Sequence, residues 1–159
     1  MRTLRCSAGA AAAATYQRST ILGPAQLNWV REWTLSLASS LSQLQQALTL
    51  SQIGGNPVNE ARTLDDLGEA LRATGQFHEA RNQHTTALTL ATQVGDRYEQ
   101  ARAHNGIAHT YNATGDAGEA RHYWHEALAL YTELSVPEAE DVRAHLTKLD
   151  QAADVDAGW

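Results

Sequence analysis

Seven histidines, 18 acidic residues and four tryptophans are the side chains of this 159-residue chain best able to do chemistry. His122 and His125 stand three apart, a spacing at which two imidazoles on one helical turn can share a cation. No carboxylate-rich motif converges on them, and Trp124 between them belongs to an apolar pattern. They are read as exposed surface residues, and no metal site is expected. Asp65-Asp66 and Glu138-x-Glu140-Asp141 contain the close carboxylates that acid–base catalysis uses. Both fit better as helix starts and solvated faces, where acidic side chains offset the positive end of a helix. Nucleotide-binding glycine loops, the G-x-S-x-G nucleophile turn and the H-E-x-x-H zinc motif are missing from the sequence. An enzyme is therefore not expected, and neither is a cofactor. Trp29 and Trp33, four residues apart, form a candidate interface, because two indoles on one helix face suit the anchoring of a partner.

Charge and composition narrow the choice further. The chain carries 12 Lys+Arg against 18 Asp+Glu, a net charge of −6. Arg2, Arg5, Arg18 and Arg31 face only Glu32 within the first 40 residues, so the remainder is strongly acidic. A surface of that sign repels phosphate backbones, and direct nucleic-acid binding is not expected. Cys6 is the sole cysteine, so the chain can form no internal disulfide and no thiolate cluster. No segment offers the roughly 20 apolar residues of a membrane span. The run Ala10–Ala14 follows two arginines but lacks the leucine-rich core of a signal peptide. A cytoplasmic protein without membrane contact is expected.

The elements that must position these residues are set by an internal repeat. Shifted by 40 residues, Ala61-Arg62 falls on Ala101-Arg102 and Ala73-Thr74-Gly75 on Ala113-Thr114-Gly115. Glu79-Ala80-Arg81 falls on Glu119-Ala120-Arg121 and Ala87-Leu88 on Ala127-Leu128; one shift earlier, Ala47-Leu48-Thr49-Leu50 repeats as Ala87-Leu88-Thr89-Leu90. Each unit, 61–100 and 101–140, reads as helix, turn, helix. Leu64, Leu67, Gly68 and Leu71 recur at helical spacing, and Thr74-Gly75 ends that helix because glycine tolerates the left-handed closing residue. The second helix follows from about Phe77 to Gln93, with Ala80, His84, Ala87, Leu88 and Ala91 along its inner side. His84 stands where the next unit has Trp124, so a buried or half-buried ring is expected there. Asp96, after Gly95, suits the cap of the next helix.

The spacings Leu64-x2-Leu67-Gly68-x2-Leu71 and Ala80-x3-His84-x2-Ala87 resemble the tetratricopeptide repeat (TPR), and Ile107-Ala108-x2-Tyr111 with Ala120-x3-Trp124-x2-Ala127 resembles it more closely. The period of 40 exceeds the family's usual 34, and the usual proline near the end of the unit is missing. With its longer second helices, the stretch 41–149 is similar to the C-terminal repeats of actinobacterial antibiotic-regulatory and NB-ARC-type transcriptional regulators. The segments Val94–Ala103 and Ala127–Tyr131 through Val136–Glu140 carry that likeness. The resemblance implies an all-α fold, a right-handed α-α superhelix of antiparallel helix pairs closed by a C-terminal capping helix. It also implies a scaffold that binds a partner protein or peptide in a concave groove; the alternative is the regulatory, effector-sensing module of such a regulator. The groove candidates lie beside the apolar face of the first helices: Arg62, Asp65, Glu69 and Arg72, then Arg102, Asn105, His109 and Asn112. Arginine can clamp a carboxylate and asparagine can pair with a peptide backbone.

The ends follow different rules. Leu27, Val30, Thr34, Leu37, Leu41, Leu44 and Leu48 recur in steps of three and four, which predicts one helix over about 24–53. That helix is either a divergent capping unit or, with residues 1–40, foreign to the repeat. Residues 137–150 predict the capping helix, with Val142, Leu146 and Leu149 inward and His145, Lys148 and Asp150 wet. The domain is thus expected over 23–151, residues 1–22 as a disordered segment and 152–159 as a loose tail. Coverage of Trp29 and Trp33 by a second copy, giving a homodimer, or by a partner is expected.

Overall fold

The computed structural model describes residues 24–156, with side chains from Arg31 to Ala153. The expected disordered segment 1–22 lies outside the described residues. Helices account for everything but the turns: α1 (Pro24–Ile53), α2 (Pro57–Ala73), α3 (Phe77–Val94), α4 (Arg97–Thr114), α5 (Ala117–Glu133) and α6 (Glu138–Asp156). No strand occurs among the described residues. The protein is an all-α stack of antiparallel helix pairs, α2/α3 and α4/α5, with α1 before them and α6 after.

The turns recur every 20 residues. Gly55, Gly75, Gly95 and Gly115 all have positive φ, and Ser135 adopts the same conformation at φ 54°. At each, the amide of the following residue reaches back to a carbonyl of the last helical turn, as in Asp96 N to Ala91 O at 2.9 Å and Val136 N to Tyr131 O at 3.2 Å. This closure satisfies carbonyls that the helix end would leave unpaired. Three of the helices that follow, α2, α4 and α5, start on side-chain caps: Asn56, Asp96 and Asp116 accept from the amides of Asn59, Glu99 and Glu119 at 3.1–3.2 Å.

Small residues let the helices close. Ala80, Ala91, Ala101, Ala103, Ala108, Ala120 and Ala127 are fully buried. Leu41, Leu44 and Leu48 of α1 pack against Leu67, Leu71 and Ala80, so the C-terminal half of α1 docks on the first pair. Trp124, Tyr131, Val142 and Leu146 fill the other end of the core. Three expectations need correction. Asp65 is not on a solvated face but 3% exposed. His145 is not on the wet side of α6, because its ring stacks on Trp124 at 5.1 Å and 7°. Residues 152–156, expected in a loose tail, continue α6.

Candidate functional site

The face formed by the first helices α2 and α4 is organised around His84, which enters it from α3. The ring is 0% exposed and lies between two glycines. A Cβ on Gly68 of α2 would stand 2.7–2.8 Å from its ring atoms, and one on Gly106 of α4 would overlap it as badly. Both glycines are helical, so room for the ring and not backbone conformation calls for them. Nδ1 donates to Asp65 Oδ1 at 2.7 Å. Nε2 has no hydrogen-bond partner among the described residues, and Glu69 Oε1 stands 3.9 Å away.

The second unit repeats the device with different chemistry. Trp124 Nε1 donates to Asn105 Oδ1 at 3.0 Å, and both pairs span 19 residues of sequence. Asp65 and Asn105 occupy the same register position, and so does His145 of α6, whose ring covers Trp124. Each unit thus fixes its large inward ring to a polar side chain on its own first helix.

Arg102 ties the two units together. Its guanidinium reaches Asp65 at 3.2 Å, Asp66 at 2.7 Å and Glu99 at 3.0 Å. Burial works against its charge, but these carboxylates more than compensate and strengthen its hold on the proton. Arg62 binds the other oxygen of the buried Glu99 at 3.1 Å. Arg72 pairs with Glu69 at 2.6 Å. Burial disfavours the charged Glu69, yet Arg72 beside it prevails and keeps the carboxyl below the usual carboxylate range. His109 lies edge-on to Trp124 at 5.3 Å and to His145 at 4.6 Å. Burial, helped by Arg72, pushes its pKa down to about 4, so its ring is neutral near pH 7.

Of the eight groove candidates, Arg62, Asp65, Glu69, Arg72, Arg102, Asn105 and His109 join this polar layer, and exposed Asn112 stands apart at the end of α4. Asp65 is enclosed and Asn105 has given its carbonyl to Trp124. His84, Asp66, Glu99 and His145 complete the layer and were absent from the candidates. A constant separation of 19 between Asp65 and His84 and between Asn105 and Trp124 is the sequence signal that joins the rings to it. Of the interface pair, Trp33 is half-buried and Trp29 precedes the residues whose side chains are described. Among the described residues no three His, Cys, Asp or Glu side chains gather as a metal site, and His122 and His125 are exposed.

Two tetratricopeptide-repeat family models match the chain, one over residues 33–93 and one over 100–138. The chain belongs to the TPR family. Its repeats are of a kind that generally mediates protein–protein interaction and typically forms non-enzymatic scaffolds. The matches support the TPR resemblance and give no support to the likeness to transcriptional regulators. No curated protein matches this TPR chain. No described helix is long and apolar enough to cross a membrane.

Proposed function

We propose that this TPR protein is a scaffold holding a basic segment of a partner protein across the face of α2 and α4. The observation that carries the reading is the state of its arginines. Arg102 already faces three carboxylates, Arg62 is bound to Glu99, and Arg72 to Glu69. An incoming carboxylate would compete with these partners for the same donors. Asp66 and Glu69, by contrast, remain partly exposed with lone pairs to spare. Neutral His109 adds no positive charge. Four carboxylates against three guanidiniums make the layer net negative, in keeping with the −6 of the whole chain.

Fluorescence polarisation with labelled lysine- and arginine-containing peptides, against acidic peptides of the same length, tests the reading. Basic peptides should bind more tightly and lose about tenfold in affinity in the Asp66→Asn, Glu69→Gln variant. Tighter binding of acidic peptides, or no change in the variant, would overturn it.

A further inference from the structure

The repeat register exposes an unfinished unit at the N-terminal end. Shifted by 40 residues, Ser40, Ala47 and Ser51 of α1 fall on Ala80, Ala87 and Ala91 of α3, which are buried under α2. Asn59, Thr63 and Asp66 of α2 fall on Glu99, Ala103 and Gly106 of α4, also buried. The α1 and α2 members of these sets are open or only half-covered, and a depression runs between them, lined by Ala47, Leu50, Ser51, Asn59, Thr63 and Asp66. Leu50 is 69% exposed, whereas its counterparts Leu90 and Leu130 pack against the core. The depression has the lining of a first-helix seat.

The helix that would fill it is fused into α1. Turns with positive φ stand at 55, 75, 95, 115 and 135. One step earlier is Leu35, 60% exposed, through which α1 runs without a break. Residues 24–36 therefore cannot fold back and instead continue past the pair they would join. At 30 residues, α1 is about 45 Å long and projects well beyond the 17-residue α2.

We propose that two copies of the chain exchange the first half of α1, each filling the seat between α1 and α2 of the other. Antiparallel pairing of two whole α1 helices sets Pro24 beside Ile53 of the second copy and the two-fold axis between Ala38 and Ser39. The exchanged half then runs in the direction that α2 takes along α3. Trp29, Trp33, Ser36 and Ser40 follow one another at steps of three and four, and Ala47 and Ser51 lie on the same face seven and eleven residues beyond Ser40. Trp33 thus comes level with Leu44 of the second copy, a large residue against the small Ser40 and Ala47 of the other helix, as in knobs-into-holes packing. Charge agrees as well. Arg31 and Glu32 are the only charged residues in α1, and Arg31 comes level with Gln46 of the second copy and hence with its Asp66. Two reciprocal dockings of about four turns each reach the order of 1,600 Å2 that stable dimers bury. The C-terminal end offers no comparable seat, because Thr147, Lys148 and Gln151 on α6 are polar and exposed. Exchange of a fused element between identical chains is a low-cost route to a symmetric dimer.

Sedimentation equilibrium of the full chain tests the exchange. The wild type should sediment at twice the 17.3 kDa of one chain. Leu50→Glu, which places a charge in the seat and leaves the core untouched, should raise the dimer dissociation constant at least about a hundredfold with helical circular dichroism unchanged. Leu35→Gly supplies the missing turn residue and should give a helical monomer whose first half of α1 folds back. A dimer unaffected by either variant would overturn the proposal. So would a monomeric wild type; if Leu50→Glu then lowered its melting temperature, residues 1–23 of the same chain would be the occupant. Asp66 lies in both the seat and the α2/α4 face, so Glu69→Gln alone, which removes a peptide contact and leaves the lining of the seat intact, keeps the failure of this proposal distinguishable from that of the peptide-binding reading.

Discussion

Replacing Gly106 by alanine sets two opposing effects against each other at one atom. In a helix interior the change ordinarily stabilises by about 1 kcal/mol, because alanine loses less backbone entropy on folding. Here the new methyl would lie within 2.7 Å of His84 Nε2 and nearer still to Cε1 and Nδ1. The ring cannot retreat: Asp65 holds Nδ1 at 2.7 Å, and the space on its other side is closed by Gly68. Overpacking of a rigid neighbour falls at the upper end of its range, about 3 kcal/mol. The net expectation is a loss of about 2 kcal/mol, or a melting temperature lower by roughly 8 °C for a domain of this size. Urea and thermal melts followed by circular dichroism measure it. Gly118→Ala is the control, since its Cβ would meet nothing nearer than Asp116 Oδ1 at 3.7 Å and the change should gain about 0.5 kcal/mol. In a His84→Ala background the penalty at Gly106 should vanish, which isolates the contact as a coupling energy. If Gly106→Ala stabilised the wild-type protein as Gly118→Ala does, the account of the ring between two glycines would be wrong.

Acid should destabilise the fold well above the ordinary carboxylate range. His109 has a folded pKa of about 4 against 6.5 when unfolded, so the unfolded chain takes up its proton first and stability falls as pH drops from about 6.5 to 4. The loss is at most about 3 kcal/mol, and the low pKa of Glu69 acts in the same direction at lower pH. Urea midpoints at a series of pH values should show the decline, flattened in His109→Gln. Ser135→Gly should stabilise by about 0.5–1 kcal/mol, because it relieves the side-chain strain of a left-handed residue at the one turn where glycine is missing; an unchanged melting temperature would argue against strain there.

The stack was legible because the 40-residue register places Thr74-Gly75 and Thr114-Gly115 at helix ends and alanines where helices touch, features set by residues close in sequence. The polar layer was less so. Asp65 looks solvated on α2 taken alone, since it sits beside the apolar stripe and next to a second aspartate. Its burial depends on His84 in the following helix and on Arg102 in the following unit. His145 likewise reads as the wet side of a capping helix until Trp124 provides a surface for its ring. Both depend on what another element presents, which the periodicity of a single helix does not report.

The glycine against which His84 packs also fixes the order in which units can be joined. A duplicate of 61–100 inserted after Gln100 would bring its own copy of Asp66 to the place of Gly106, setting a carboxylate-bearing side chain where the His84 ring needs empty space. A duplicate of 101–140 appended after Glu140 meets no such obstacle, because Trp124 would then face a copy of Gly106 in place of Leu146. The two modules are therefore not interchangeable: lengthening is permitted downstream of Trp124 and blocked downstream of His84, a grammar of succession written in a single missing methyl group.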